Sequence, residues 1–115
     1  MYVRTKEGKI FNCFASESMG KPVYYIKDSL TNGFIDYNEA YKVSPNIIDI
    51  VQVGDYVNGS KVVNINYDLN YDEDIVESIT IFDYSIEGND ILHNEEIKSI
   101  VTKEQFESMS YKVGD

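Results

Sequence analysis

"VQVGDYVNGSKVVNI", Val51 to Ile65, places short apolar runs around a Gly54-Asp55 bend and an Asn58-Gly59 pair. An Asn-Gly step between apolar runs is a strong local signal for a two-residue hairpin turn, because both central residues of that turn need positive φ. The spacing predicts a short strand at Tyr56-Val57, a tight turn, and a third apolar segment carrying Val62, Val63 and Ile65. Glycine and asparagine tolerate the left-handed region, so backbone geometry explains this pattern without a ligand. The stretch reads as a corner of a bent sheet.

The same punctuation continues on both sides. "MYVRTKEGKIFNCF" predicts a first hairpin, with Tyr2, Arg4 and Lys6 alternating against Val3 and Thr5, a turn near Glu7-Gly8, and a return over Lys9 to Phe14. Ala15 to Lys21 reads as a loop, "PVYYIKD" as a strand, and Asn32-Gly33 as a turn leading into Phe34 to Tyr37. Asn38 can cap one helical turn through Tyr41, while the Ser44-Pro45 step favours extended backbone. Ile47, Ile48, Ile50 and Val51 then read as buried strand.

Downstream, "SITIFDYSI" is β-branched and apolar, Gly88-Asn89 marks a turn, and a last strand is expected around Ile97 to Val101. Thr102 followed by Gln105 forms a capping-box pattern, predicting a short helix over "TKEQFESMS" with Phe106 and Met109 on one face. The expected fold is mainly β (α+β): a small bent antiparallel sheet, or an SH3-like or OB-like barrel, with a short C-terminal helix. Ile48, Ile50, Val57, Val63, Ile81, Ile100 and Phe106 are its expected core. At 115 residues the chain suffices for one hydrophobic core, so a single domain over 1–115 is expected.

Charge narrows the function classes. Twenty acids against ten bases give a formal net charge of −10, which repels a phosphate backbone and favours a basic protein partner over direct nucleic-acid binding. Cys13 is the only cysteine and His93 the only histidine, so an intrachain disulfide has no second thiol and a Cys/His zinc site lacks ligands. No apolar run approaches the length of a membrane span and no basic, apolar leader opens the sequence, so a cytoplasmic location is expected.

The strongest compositional feature lies between Val62 and Ile97, which holds ten acids and neither lysine nor arginine. A solvated loop explains such a run; so does an acidic surface that mimics phosphates in a basic groove. Asp68, Asp72, Glu73, Asp74 and Glu77, with Tyr67 and Tyr71 as aromatic anchors among them, are the candidate partner-binding residues. Asp68, Asn70 and Asp72 match the first, third and fifth positions of a calcium loop, but Glu73 replaces the turn glycine and Ile79 the closing glutamate, so no metal is expected there. No nucleophile, base and orienter occur together in a pattern that would define an enzyme, and no cofactor motif occurs. His93 reads as a turn residue and Cys13 as a small core or edge residue.

Two segments, "SPNIIDIVQVGDYVNGSKV" and "IKSIVTKEQFESMSYKVG", resemble small proteins encoded in phages and prophages of low-GC Gram-positive bacteria. These similarly close with a strand, a Thr-Lys-Glu-Gln-Phe helix start and a Tyr-Lys-Val tail. The resemblance covers the middle and the C-terminal quarter, and it carries no catalytic residues. It implies a mobile-element origin and, by analogy, an inhibitor of a host defence system of the anti-CRISPR type acting inside the bacterial host cell. The alternatives are a β-module that binds or sequesters a small molecule such as a signalling nucleotide, with a homo-oligomer interface as one place for the pocket, and a structural accessory domain.

Overall fold

The computed structural model describes residues 1–27, 33–68 and 75–109. Its strands form two antiparallel five-stranded sheets, and one short helix lies near the C-terminus. The chain divides into two compact units, Met1–Ile50 and Val51–Asp115.

Unit 1 contains β1 (Tyr2–Thr5), β2 (Ile10–Ser18), β3 (Lys21–Ile26), β4 (Phe34–Asp36) and β5 (Ala40–Ser44), in the sheet order β4-β3-β2-β1-β5. The long β2 serves two neighbours: Ile10 to Asn12 pair with β1, and Cys13 to Ser18 pair with β3. The edge strands β4 and β5 are joined by three residues, 37–39. A flat sheet would hold those edges about 19 Å apart, at roughly 4.8 Å per strand. Four residue steps reach at most about 14 Å. The sheet therefore curls, bringing its edges toward each other around Val3, Cys13 and Ile35, with Phe11, Tyr24, Ile26, Ala40 and Val43 packed against them. Among the described residues no ladder joins β4 to β5, so the curl stops short of the barrel alternative.

Unit 2 contains β6 (Tyr56–Val57), β7 (Ser60–Tyr67), β8 (Val76–Asp83), β9 (Gly88–Leu92) and β10 (Ile100–Val101), in the order β10-β6-β7-β8-β9, followed by α1 (Lys103–Met109). Val62 faces Ile81, and Ile65 and Leu92 flank Ile79 across the ladders, so these apolar residues share one face. Val57, Val62 and Ile79 are fully buried. The capping box forms as its spacing requires: Gln105 N–H donates to Thr102 Oγ1 at 3.2 Å, and Thr102 N–H donates to Gln105 Oε1 at 3.0 Å.

The Asn58-Gly59 corner is a two-residue hairpin turn. Val57 pairs with Ser60, and the two central residues have φ of 52° and 83°. Asn58 does more than turn the chain, because its Oδ1 accepts from Lys98 N–H (2.8 Å) and Ser99 N–H (3.1 Å) while its Nδ2 donates to the Glu96 carbonyl (2.8 Å). A Cβ at Gly59 would meet nothing within 4 Å, so the cost of substitution there is conformational. Gly59→Val is expected to destabilise the protein by more than about 1 kcal/mol in urea unfolding, since a β-branched residue resists positive φ. A stable Gly59→Val variant that lost only partner binding would contradict the corner reading.

Several expectations are corrected. Ala15 to Ser18 extend β2, and the chain reverses at Met19-Gly20, with φ of 53° and 79°; Met in place of Asn hid a turn of the same two-residue type. Residues 37–39 turn through a Glu39 N–H to Asp36 carbonyl bond and run into β5, without a helical turn at Asn38. Ile47–Ile50 form a 3-10 turn rather than a strand, burying Ile48 and Ile50. Gly88 and Asn89 begin β9; the reversal lies one step earlier at 84–87, where Glu87 takes positive φ. The last strand is only Ile100–Val101, because Asn94–Glu96 form a second 3-10 turn. Val63 is 41 % exposed because Val62 takes the inward position, and Phe106 is 44 % exposed, stacking on Tyr56 with centroids 4.4 Å apart. Ile100 is only half-buried. The Asn32 half of the Asn32-Gly33 turn lies outside the described residues.

Candidate functional site

Charge is divided between the units. Met1–Ile50 carries six bases and six acids, whereas Val51–Asp115 carries four bases and fourteen acids, so the whole formal excess of −10 belongs to unit 2. Exposed carboxylates stand at Glu77 on β8, Glu87 in the 84–87 turn, Asp90 on β9, Glu95 and Glu96 in the 3-10 turn, and Glu107 on α1.

Tyr67 ends β7, and the N–H of Asp68, the next residue, donates to the Ile75 carbonyl (2.8 Å) and closes the described part of the β7–β8 hairpin. Tyr67 is exposed and pairs with Val76, beyond a register shift that separates this pair from the Asn66–Ser78 pair. Glu77 is exposed and lies at that register shift, between Val76 and Ser78. The structure therefore gathers Tyr67, Asp68 and Glu77 at one hairpin end. Tyr71, Asp72, Glu73 and Asp74 lie outside the described residues.

The Asn66 face of the β7–β8 ladder is uncharged. Asn66 Nδ2 donates to Ser78 Oγ (3.1 Å) and Thr80 Oγ1 (3.0 Å), and Asn64 Nδ2 donates to Asn66 Oδ1 (2.8 Å). At the far end of β8, the Ser85 hydroxyl and backbone N–H both donate to Asp83 Oδ1, holding that carboxyl below the usual carboxylate range.

His93 is exposed and heads the Asn94–Glu96 turn, its N–H donating to Glu96 Oε1 (3.0 Å), with Nδ1 3.3 Å from the Glu77 carbonyl oxygen. Cys13 sits in the unit 1 core, where burial pushes its thiol pKa up, the reverse of the shift that activates a nucleophile. Of the calcium-like positions, Asp68 is placed as above, and Asn70 and Asp72 lie outside the described residues. Among the described residues no three His, Cys, Asp or Glu side chains gather to hold a metal ion. Nor is any helix among them long and apolar enough to cross a membrane.

Two features of unit 1 escaped the sequence reading. A cavity of about 330 Å³ opens where the curled edges approach, over Phe11 and Ile35, with Lys6, Lys9, Glu7 and Glu39 around it. On the convex side, Phe14, Tyr25 and Phe34 are paired in register across β2, β3 and β4 and stay 60, 48 and 59 % exposed. Reading Ala15 to Lys21 as a loop removed the β2–β3 pairing that aligns these rings. The parity of Phe14 and Tyr25 about the Met19-Gly20 turn was the available signal.

Comparison with models of protein families, with curated proteins and with solved structures gives no match.

Proposed function

We propose that the chain is a non-enzymatic binding protein whose acidic unit 2 engages a basic, nucleic-acid-binding surface of a host protein. This is the mode expected of a phage- or prophage-encoded inhibitor of a defence system, of the anti-CRISPR type. The observation that carries the reading is the confinement of the entire charge excess to unit 2, with exposed carboxylates spread over its strands, turns and helix. Such a field steers encounter with a basic groove and matches the charge of the phosphates that the groove otherwise holds.

The test is binding kinetics, at two salt concentrations, against a basic host protein retained by affinity capture. Replacing Asp72, Glu73, Asp74 and Glu77 by their amides should leave thermal unfolding nearly unchanged, slow association about tenfold at low salt, and flatten its salt dependence. Tyr71→Ala should leave association intact and shorten the lifetime of the complex, because an aromatic anchor acts after docking. Equal rates and equal salt slopes for wild type and the fourfold variant would overturn this reading. They would turn attention to the second one, small-molecule binding, which the unit 1 cavity favours by setting Lys6 and Lys9 beside the Phe11 ring, groups suited to a phosphate and a planar base.

A further inference from the structure

We infer that the convex face of the unit 1 sheet is a stacking platform for single-stranded nucleic acid. The ladder pairs Phe14 with Tyr25 and Tyr25 with Phe34, and directly paired residues project to the same side of a sheet. The three rings thus form one row across three neighbouring strands, each about half exposed or more. A single exposed aromatic is ordinary, whereas an aligned row of three is a contiguous apolar patch of the kind that marks an interaction surface.

Strand alternation assigns the rest of this face. Ser16 and Ser18 of β2, Lys21, Val23 and Lys27 from β3 and the residue that follows it, and Asp36 of β4 project with the rings. Among the described residues of β2 to β4 and Lys27, the charged side chains on this side are two lysines and one aspartate. Lys27 Nζ lies 4.3 Å from the Phe14 centroid, and Lys21 Nζ lies 4.9 Å from that of Tyr37. Both cations stand over aromatic faces, and a phosphate that draws Lys27 aside uncovers the Phe14 ring for a base.

Spacing and charge select the occupant. The Tyr25 and Phe34 centroids are 6.3 Å apart, about twice the 3.4 Å rise per nucleotide of a stacked strand, and the ring planes are tilted by 52°, so the rings suit bases that have been splayed apart and not a continuous stack. A duplex keeps its base faces covered and offers nothing to such a row. The formal excess of −10 belongs to unit 2. With its six bases and six acids, unit 1 carries no formal excess against a polyanion.

The experiment is fluorescence anisotropy with the full chain and labelled oligothymidylate of about 12 nucleotides, within the span that one small β-domain covers. An abasic strand of the same length is the control. Saturable binding that weakens with salt is expected, with the abasic strand at least tenfold weaker. Phe14→Ala, Tyr25→Ala and Phe34→Ala should each lose about 5- to 100-fold, the range that stacking on one aromatic side chain supplies. Lys27→Gln, which leaves the rings in place, should lower the salt slope by about one phosphate contact. Circular dichroism checks that each variant folds, and leucine at the same position (Phe14→Leu, Tyr25→Leu or Phe34→Leu) replaces any alanine variant that does not. Absence of saturable binding at low salt, equal affinity for the abasic strand, or indifference to loss of all three rings would overturn the inference. So would sedimentation showing a dimer that the triple variant dissolves, which would make a second copy the occupant. None of these outcomes touches the reading of unit 2, whose fourfold variant alters no residue of this face.

Discussion

Asp55→Ala is expected to destabilise the protein by about 3 kcal/mol, the largest effect of any single carboxylate in unit 2. Asp55 is fully buried, and both its oxygens are used: Oδ2 accepts from Gln52 N–H at 2.7 Å and Oδ1 from Lys103 N–H at 3.0 Å. Its backbone is engaged as well, with its N–H donating to the Gln52 carbonyl and its carbonyl accepting from Val62 N–H. One side chain thereby joins the Gln52-to-Asp55 corner to the first residue of α1, forty-eight positions away in sequence. At the helix start the carboxylate also meets the positive end of the backbone dipoles. Truncation leaves two donors without their charged acceptor, each such bond being worth about 1.5 to 3 kcal/mol. Asp55→Asn, which keeps one acceptor oxygen and the volume, should cost about half as much. Urea unfolding, with amide exchange in β7 as the probe of unit 2, measures both. An alanine variant within about 1 kcal/mol of wild type would show that water or the Thr102–Gln105 capping box replaces the carboxylate.

Asp55 also shows where the sequence is legible and where it stops. Gly54-Asp55 reads as a bend, and it is one, because a local φ preference suffices to specify it. Nothing local says that the aspartate of that bend will cap a helix forty-eight residues later. The capping box of Thr102 and Gln105 is read from four consecutive residues and forms as expected, as does the Asn58-Gly59 turn. The β-rich fold with a short C-terminal helix follows from such local signals accumulated along the chain. What fails is what depends on partners. Ile47 to Val51 have the apolar density of a strand, and periodicity cannot tell that from a short 3-10 turn burying Ile48 and Ile50. At Val62-Val63 two identical side chains compete for one inward position, and the register shift there decides which is buried. The acidic run is plain in the composition, yet the register shift beside Tyr67 and Glu77 follows only from the ladder.

Arg4 gives the corresponding expectation for unit 1: Arg4→Ala should cost about 3 to 4 kcal/mol and Arg4→Met only about 1 to 2. The alternation of the first strand sets Arg4 opposite to Val3, on the side a small sheet usually gives to water, yet its side chain is 1 % exposed. The reason is the 3-10 turn, whose last carbonyl, that of Ile50, accepts from Arg4 Nη1 at 3.0 Å. The entry to that turn is organised locally, since the Ser44 hydroxyl donates to Asp49 Oδ2 and accepts from Asn46 N–H. Arg4 supplies the long-range tie that fixes its exit. Alanine removes both the buried aliphatic stem and the donor, leaving a cavity and a carbonyl without this partner. Methionine refills most of the volume and removes a buried charge, whose desolvation had weighed against folding, so it recovers much of the loss. Urea unfolding read in unit 1, through amide exchange in β1 and β5, separates the two contributions. Equal losses in the two variants would mean that the bond to Ile50 alone holds the turn. The expected ordering means that the guanidinium directs the 3-10 turn onto the sheet and the stem beneath it supplies most of the stability.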